Sequence, residues 1–173
     1  MHKPACLLIL FLLSTGIATS QTKKEKKQMK EEAEINEFQA TKALIASGVY
    51  EFKPDWVTTN FDGHRTQVIR TIFRMNQEDL YAELPVFQKG SAIMRSTVAP
   101  VGVVGISEVK FEGNVEDYKV KVNEKKRTID VSFNRSSKRE RYSFSFTIKH
   151  DGSATLLLQP ATFTAMTYEG NVH

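Results

Sequence analysis

Residues 141–172 read RYSFSFTIKHDGSATLLLQPATFTAMTYEGNV, and their spacing decides the fold class. Tyr142, Phe144, Phe146 and Ile148 alternate with Ser143, Ser145, Thr147 and Lys149. Successive side chains of an extended chain point to opposite faces, so a period of two makes one face apolar and the other polar, the mark of a half-buried strand. His150-Asp151-Gly152 supplies a turn, because Asp and Gly tolerate the positive φ angles of a tight hairpin. Ala154, Leu156 and Leu158 return along the same sheet until Pro160 stops or bends the strand. A third short strand over residues 162–168 closes the chain before Glu169-Gly170.

The same pattern runs upstream. Tyr50, Phe52 and Trp56 fall on one face of a strand, with Glu51, Lys53 and Asp55 on the other. A loop at 60–63 leads to a strand over 67–75, a turn at 76–79, and a strand over 80–84 that Pro85 ends or bends. Another strand is expected over 91–97, and the apolar, glycine-rich run 99–105 reads as a loop or bulged strand. Strands over 108–112, 117–122 and 128–134 follow, separated by turns at Gly113-Asn114 and at 123–126. Tyr118, Val120 and Val122 face Ile129, Val131 and Phe133 across the last of these hairpins. About nine or ten short antiparallel strands joined by short turns predict a mainly β fold: an up-and-down barrel or strongly curved sheet, with one N-terminal α-helix across it or over an open end.

That helix is the charged segment 21–48. Lys23, Lys24, Lys26, Lys27 and Lys30 are interleaved with Glu25, Glu31, Glu32, Glu34 and Glu37, and no Pro or Gly occurs until Gly48. Its second half acquires an apolar stripe of Ile35, Phe38, Ala43, Leu44 and Ile45, of which Ile35, Phe38 and Ile45 are expected to bury against the sheet. Residues 1–20 read as a secretory signal peptide: His2 and Lys3, an apolar run over 5–13, then Ala18-Thr19-Ser20. The apolar run is shorter than the roughly 20 residues of a membrane span. The expected organisation is therefore signal peptide 1–20, helix 21–48 and a single β-barrel domain 49–173, exported to the periplasm or the outside of the cell. Cys6 is the one cysteine and would leave with the signal, so disulfides and thiolate chemistry are excluded from the mature chain.

The candidates for chemistry are few. A formal charge of +4 on 173 residues is small, and the glutamates among the N-terminal lysines cancel the field a nucleic-acid or membrane patch needs. Asp62 and His64 could supply two metal ligands, short of the three or four a site requires, so no metal and no cofactor are expected. Catalytic and phosphate-binding motifs are missing: Gly102-Val103-Val104-Gly105 lacks the lysine and the following helix of a phosphate loop. Glu78-Asp79 and Glu116-Asp117 lie in turns where solvated carboxylates belong. The basic residues Lys125, Lys126 and Arg127, and then Arg135, Lys138, Arg139 and Arg141, sit in consecutive connections, hence at opposite ends of a meander, and read as charges keeping strand ends soluble.

Short signatures across residues 50–172 resemble a family of secreted Bacteroidetes proteins, domain-of-unknown-function family 4251. They are Tyr50-Glu51-Phe52-Lys53-Pro54, Leu84-Pro85-Val86-Phe87, Gly152-Ser153-Ala154 and Thr167-Tyr168-Glu169-Gly170. The second departs from the family's Leu-Pro-Tyr-Phe-Gly pattern at Val86, Gln88 and Lys89. The resemblance implies a lipocalin-like barrel and export, and no activity.

The aromatic residues carry the functional expectation. Eleven Phe, five Tyr and one Trp are many for such a domain, and core packing takes most of them. Trp56, Tyr81, Phe87 and Tyr168 fall near strand ends or turns, where a barrel mouth would hold a small apolar or amphipathic ligand. The alternative is a non-catalytic structural or protein-interaction component of the cell envelope. Neither reading involves an enzyme, nucleic acid or a membrane span in the mature protein.

Overall fold

The computed structural model describes residues 23–60, 63, 65–68, 71–86, 107–136, 140–162 and 164–173. Helix α1 (Lys23–Ala46) is followed by strands β1 (Val49–Thr59), β2 (Arg65–Gln67), β3 (Ile72–Asn76), β4 (Asp79–Val86), β5 (Ser107–Asn114), β6 (Glu116–Asn123), β7 (Thr128–Ser136), β8 (Arg141–Lys149), β9 (Ser153–Pro160) and β10 (Met166–Val172). The expected mainly β architecture is present. All pairings are antiparallel, and the order β5-β4-β3-β1-β10-β9-β8-β7-β6 makes a nearly closed, barrel-like meander, with β2 added beside β1. The first and last long strands meet in the middle of this order. Its two edges, β5 and β6, are consecutive in sequence.

Alternation builds the interior as the opening stretch predicts. In β8 the pattern is strict: Tyr142, Phe144, Phe146 and Ile148 are buried and every residue between them is exposed. Those side chains meet Phe52 and Phe73 from the opposite wall, with ring centroids 5.1 Å apart for both Phe52–Phe146 and Phe73–Phe146. Phe133 stacks on Phe144 at 4.7 Å, and Phe111 meets Phe144 edge-on at 5.0 Å. Such contacts add to the area buried by each ring. Among the described residues, these rings pack against one another across the interior.

Several boundaries differ from the sequence reading, each for a physical reason. The single strand expected over 67–75 is two elements: β2 folds back on β1, pairing Trp56 with Gln67, whereas β3 pairs with the start of β1. Pro85 does not end β4; it lies within the ladder opposite Glu108. Gly113 and Asn114 belong to β5 rather than to a turn, and Val115 forms the corner into β6. Glu169-Gly170 does not close the sheet either, since β10 runs on to pair Val172 with Phe52. The strand expected at 91–97 and the glycine-rich run 99–105 lie outside the described residues.

Gly170 explains why β10 continues. Strand β1 carries an extra residue, Asp55, between the pairs Pro54–Gly170 and Trp56–Glu169. A bulge of this kind bends a strand and displaces its backbone. Here it drives β1 onto Gly170 so closely that a Cβ at that position would lie 2.0 Å from the Lys53 carbonyl oxygen and 2.6 Å from Pro54 Cα. The bulge also reverses the alternation: Tyr50, Phe52 and Pro54 point inward, then Val57 and Thr59 do, and Trp56 points out. Trp56 therefore does not share a face with Tyr50 and Phe52.

By contacts, Ala33–His173 form one compact unit, separate from the residues before them. Residues 23–32 of α1 are exposed throughout. Within the larger unit the helix buries Phe38, Thr41 and Ile45. Ile35, expected to bury, is 41% exposed, because Phe38, Thr41 and Ile45 define the inward face and Glu34 takes the place one turn before Phe38. The Thr41 hydroxyl donates to the His150 carbonyl at 2.9 Å, while Glu34 meets Arg127 and Glu37 meets His150. The second half of α1 thus lies against the β6–β7 and β8–β9 turns, at one end of the barrel.

Candidate functional site

Of the four rings singled out in the sequence, the three that lie among the described residues do not converge. Trp56 lies on the outer face of β1, 37% exposed, with the Arg65 guanidinium 4.5 Å above its ring. Tyr81 lies on the outer face of β4; its hydroxyl donates to Glu83 at 2.7 Å and Lys110 sits over its ring. Lys110 is held above the usual lysine range, first by its hydrogen bond with Tyr81. Tyr168 is fully buried, and its hydroxyl donates to the Pro85 carbonyl at 2.6 Å. Burial pushes its pKa far above the ordinary tyrosine range. Phe87 lies outside the described residues, as do Asp62 and His64. Parity separates the three described rings: Tyr168 alone faces inward, where it ties β10 to β4.

An apolar groove opens instead between the end of α1 and β6. Its volume is about 430 Å³, and its walls include Ile45, Tyr118, Val120, Val122 and Ile129, with Gln77 and Glu78 on the rim. It exists because β6 is an edge. Tyr118, Val120 and Val122 point to the inner face, as the hairpin reading required, and pair in register with β7 through Val120–Val131 and Val122–Ile129. Among the described residues no strand pairs with the far side of β6, so Val120 and Val122 remain 41% and 40% exposed. On the groove's inner side the Tyr50 hydroxyl lies 3.5 Å from that of Tyr118. Tyr50 is buried, and desolvation, followed by the neighbouring Tyr118, raises its pKa far above the usual value.

Sequence reasoning placed Tyr118, Val120 and Val122 on a strand but did not identify them as a site. The signal that marks them is the lysine between each pair, Lys119 and Lys121, because lysine on the solvent face is a common feature of edge strands. Three of the basic residues in the turns have structural partners: Arg127 with Glu34, Arg141 with Asp117, and Arg135 with carbonyls of β5. Among the described residues no group of three or more His, Cys, Asp or Glu could hold a metal ion, and no helix is long and apolar enough to cross a membrane.

The model of a domain of unknown function, DUF4251, matches residues 32–172. The chain belongs to the DUF4251 family. The match begins within α1, ahead of Phe38, Thr41 and Ile45, so the family's shared region includes the helical wall of the groove as well as the sheet. A crystal structure described as a DUF4251 family protein from Bacteroides eggerthii is similar in fold, with a TM-score of 0.59, 21% identity, and coverage of 79% of this chain and 86% of that one. No curated protein matches the chain.

Proposed function

We infer that this DUF4251 protein is an exported, non-catalytic binding module whose site is the groove between β6 and α1, taking a small apolar or amphipathic ligand. The observation that carries this reading is the groove itself. Its volume of about 430 Å³ falls in the range of ligand sites, about 300–1,000 Å³. Its walls are mainly aliphatic, with one tyrosine hydroxyl and a polar rim able to orient a ligand. Export rests on the sequence of residues 1–20. The mouth formed by Trp56, Tyr81, Phe87 and Tyr168 is not retained as the site, since the described members lie on opposite faces of the sheet.

Native mass spectrometry of the protein purified from its own envelope fraction tests the reading. The expected result is a co-purifying small molecule that the wild type retains and Val122→Arg loses. A wild-type spectrum free of adducts, together with no saturable binding of an apolar fluorescent probe, would remove it. The second reading, an interaction component of the envelope, is favoured by the open backbone edge of β6.

A further inference from the structure

The groove is bounded on one side by more than side chains. From Lys119 to Asn123, β6 pairs residue by residue with β7, and along that length no described strand takes up its other edge. A strand exposes hydrogen-bonding backbone groups on both sides, and those on a free edge form a template for another extended segment. The start of β6 is unsuited to this role. A register shift separates Glu116 from Lys119, Asp117 sits at φ 57°, and its carboxylate is held by Asn134 and Arg141. The usable edge is therefore the regular stretch 119–123.

The side chains along that stretch select the occupant. On the inner face, Val120 and Val122 leave apolar space that alternate residues of an added strand would fill. On the outer face stand Lys119 and Lys121, followed by Lys125 and Lys126 in the next turn; of the carboxylates around them, Asp130, opposite Lys121 on β7, accepts a hydrogen bond from Thr147, Asp117 is held by Asn134 and Arg141, and Glu124 pairs with Lys42. A second copy of the chain fits poorly. Antiparallel pairing of two β6 strands centred on Val120 sets Lys119 against Lys121 in both directions, and pairing centred on Lys121 sets that lysine against itself. Like charges directly opposite destabilise a pair, and opposite charges stabilise it.

We propose that β6 receives an extended peptide segment of a partner protein, alternating apolar with acidic residues, which adds a strand along 119–123 with its apolar side chains in the groove and its carboxylates beside Lys119 and Lys121. This rests on the groove being a binding site, takes the second reading of it, an interaction surface, and names the occupant. Main-chain hydrogen bonds supply affinity, and the two faces supply specificity.

The probe is a capped peptide alternating glutamate and valine, eight residues long to match β6. Titration followed by amide NMR is expected to show saturable shifts and exchange protection concentrated at 119–123. Methylating the alternate peptide nitrogens that face the edge abolishes binding. Lys119→Glu with Lys121→Glu weakens it by about tenfold or more and transfers preference to a lysine–valine peptide. Should that double variant not fold, Lys119→Gln with Lys121→Gln gives a weakening without the transfer. Absence of saturable binding, shifts elsewhere, indifference to methylation or to charge, or a dimer through β6 in sedimentation overturns the proposal. Parallel titration with anilinonaphthalene sulfonate separates the two levels of inference. If that probe binds wild type and Val122→Arg loses it while the peptide fails, the groove reading stands and this inference falls. If neither ligand binds, both fall.

Discussion

The barrel has two seams, and they are built by different means. At the β1–β10 seam, seven registered pairs run from Phe52–Val172 to Thr59–Met166, and backbone hydrogen bonds between Glu51 and His173 extend the ladder. At the β5–β6 seam no ladder joins the strands. Among the described residues a polar bridge crosses it: the Arg135 guanidinium, from β7, donates to the carbonyls of Glu112 and Asn114 on β5. Gly113 makes room for that arm, because a Cβ there would sit 3.1 Å from Arg135 Nη2. The contrast teaches where rigidity was placed. Backbone pairing fixes one seam along its length. At the other, an arginine satisfies part of the β5 edge, while β6 keeps its edge and its apolar inner face accessible.

The largest effect should come from breaking the closed seam. Gly170→Ala forces a Cβ into the Lys53–Pro54 backbone, and overpacking against backbone costs typically about 1–3 kcal/mol, more where neither partner can move. Chemical denaturation should place this variant at or above the top of that range, and wild-type stability would show that the bulge shifts freely.

A pH titration sharpens the same point. Tyr50 and Tyr168 both have pKa values raised by burial above the ordinary value of 10.0. Above pH 10 the unfolded chain releases these protons while the folded chain keeps them, so the unfolded state binds fewer protons and stability falls as pH rises. Below pH 10 neither group contributes a slope. The limiting slope is about 1.4 kcal/mol per pH unit for each residue. Tyr168→Phe and Tyr50→Phe should each remove one such increment, and an unchanged alkaline slope in both would refute the assignment.

At the open seam the expected effects are smaller. Arg135→Met removes two charge-assisted hydrogen bonds from a partly exposed site and should cost about 1–2 kcal/mol. It should also speed amide exchange at Glu112 and Asn114 without affecting β10. Smallest of all, Val122→Arg should change stability by less than about 0.5 kcal/mol, since the side chain is already 40% exposed, yet should abolish binding of an apolar probe. Exchange should be fastest along 119–123 and slowest in β8.

How much of this was legible in the sequence depends on whether the information was local. Alternation in 141–149 gave β8 residue for residue, and Asp151-Gly152 gave its turn, where Gly152 has φ 80°. Val120 and Val122 opposite Val131 and Ile129 were equally readable, because a hairpin register is set by a short turn. Trp56 was misplaced because one extra residue at Asp55 inverts parity, and nothing in Pro54-Asp55-Trp56 announces a bulge. The constraint that reveals it, the close approach to Gly170, comes from the far end of the domain. The site was illegible for the same kind of reason: Tyr118-Lys119-Val120-Lys121-Val122 reads alike in a central or an edge strand, and only the position of β6 in the sheet leaves its valines bare.

The meeting of β1 with β10 also sets an order of assembly. A chain made or threaded through a membrane from its N-terminus presents β1 early, with only β2 and β3 able to pair with it. The remaining partner arrives last, and contacts between residues so distant in sequence form slowly because the loop between them must first close. Until β10 emerges, the β1 edge stays available to any passing strand. For such a chain the final segment, 166–172, is the step that commits the domain, and a nascent barrel stalled before it would be the form most exposed to aggregation and to proteases.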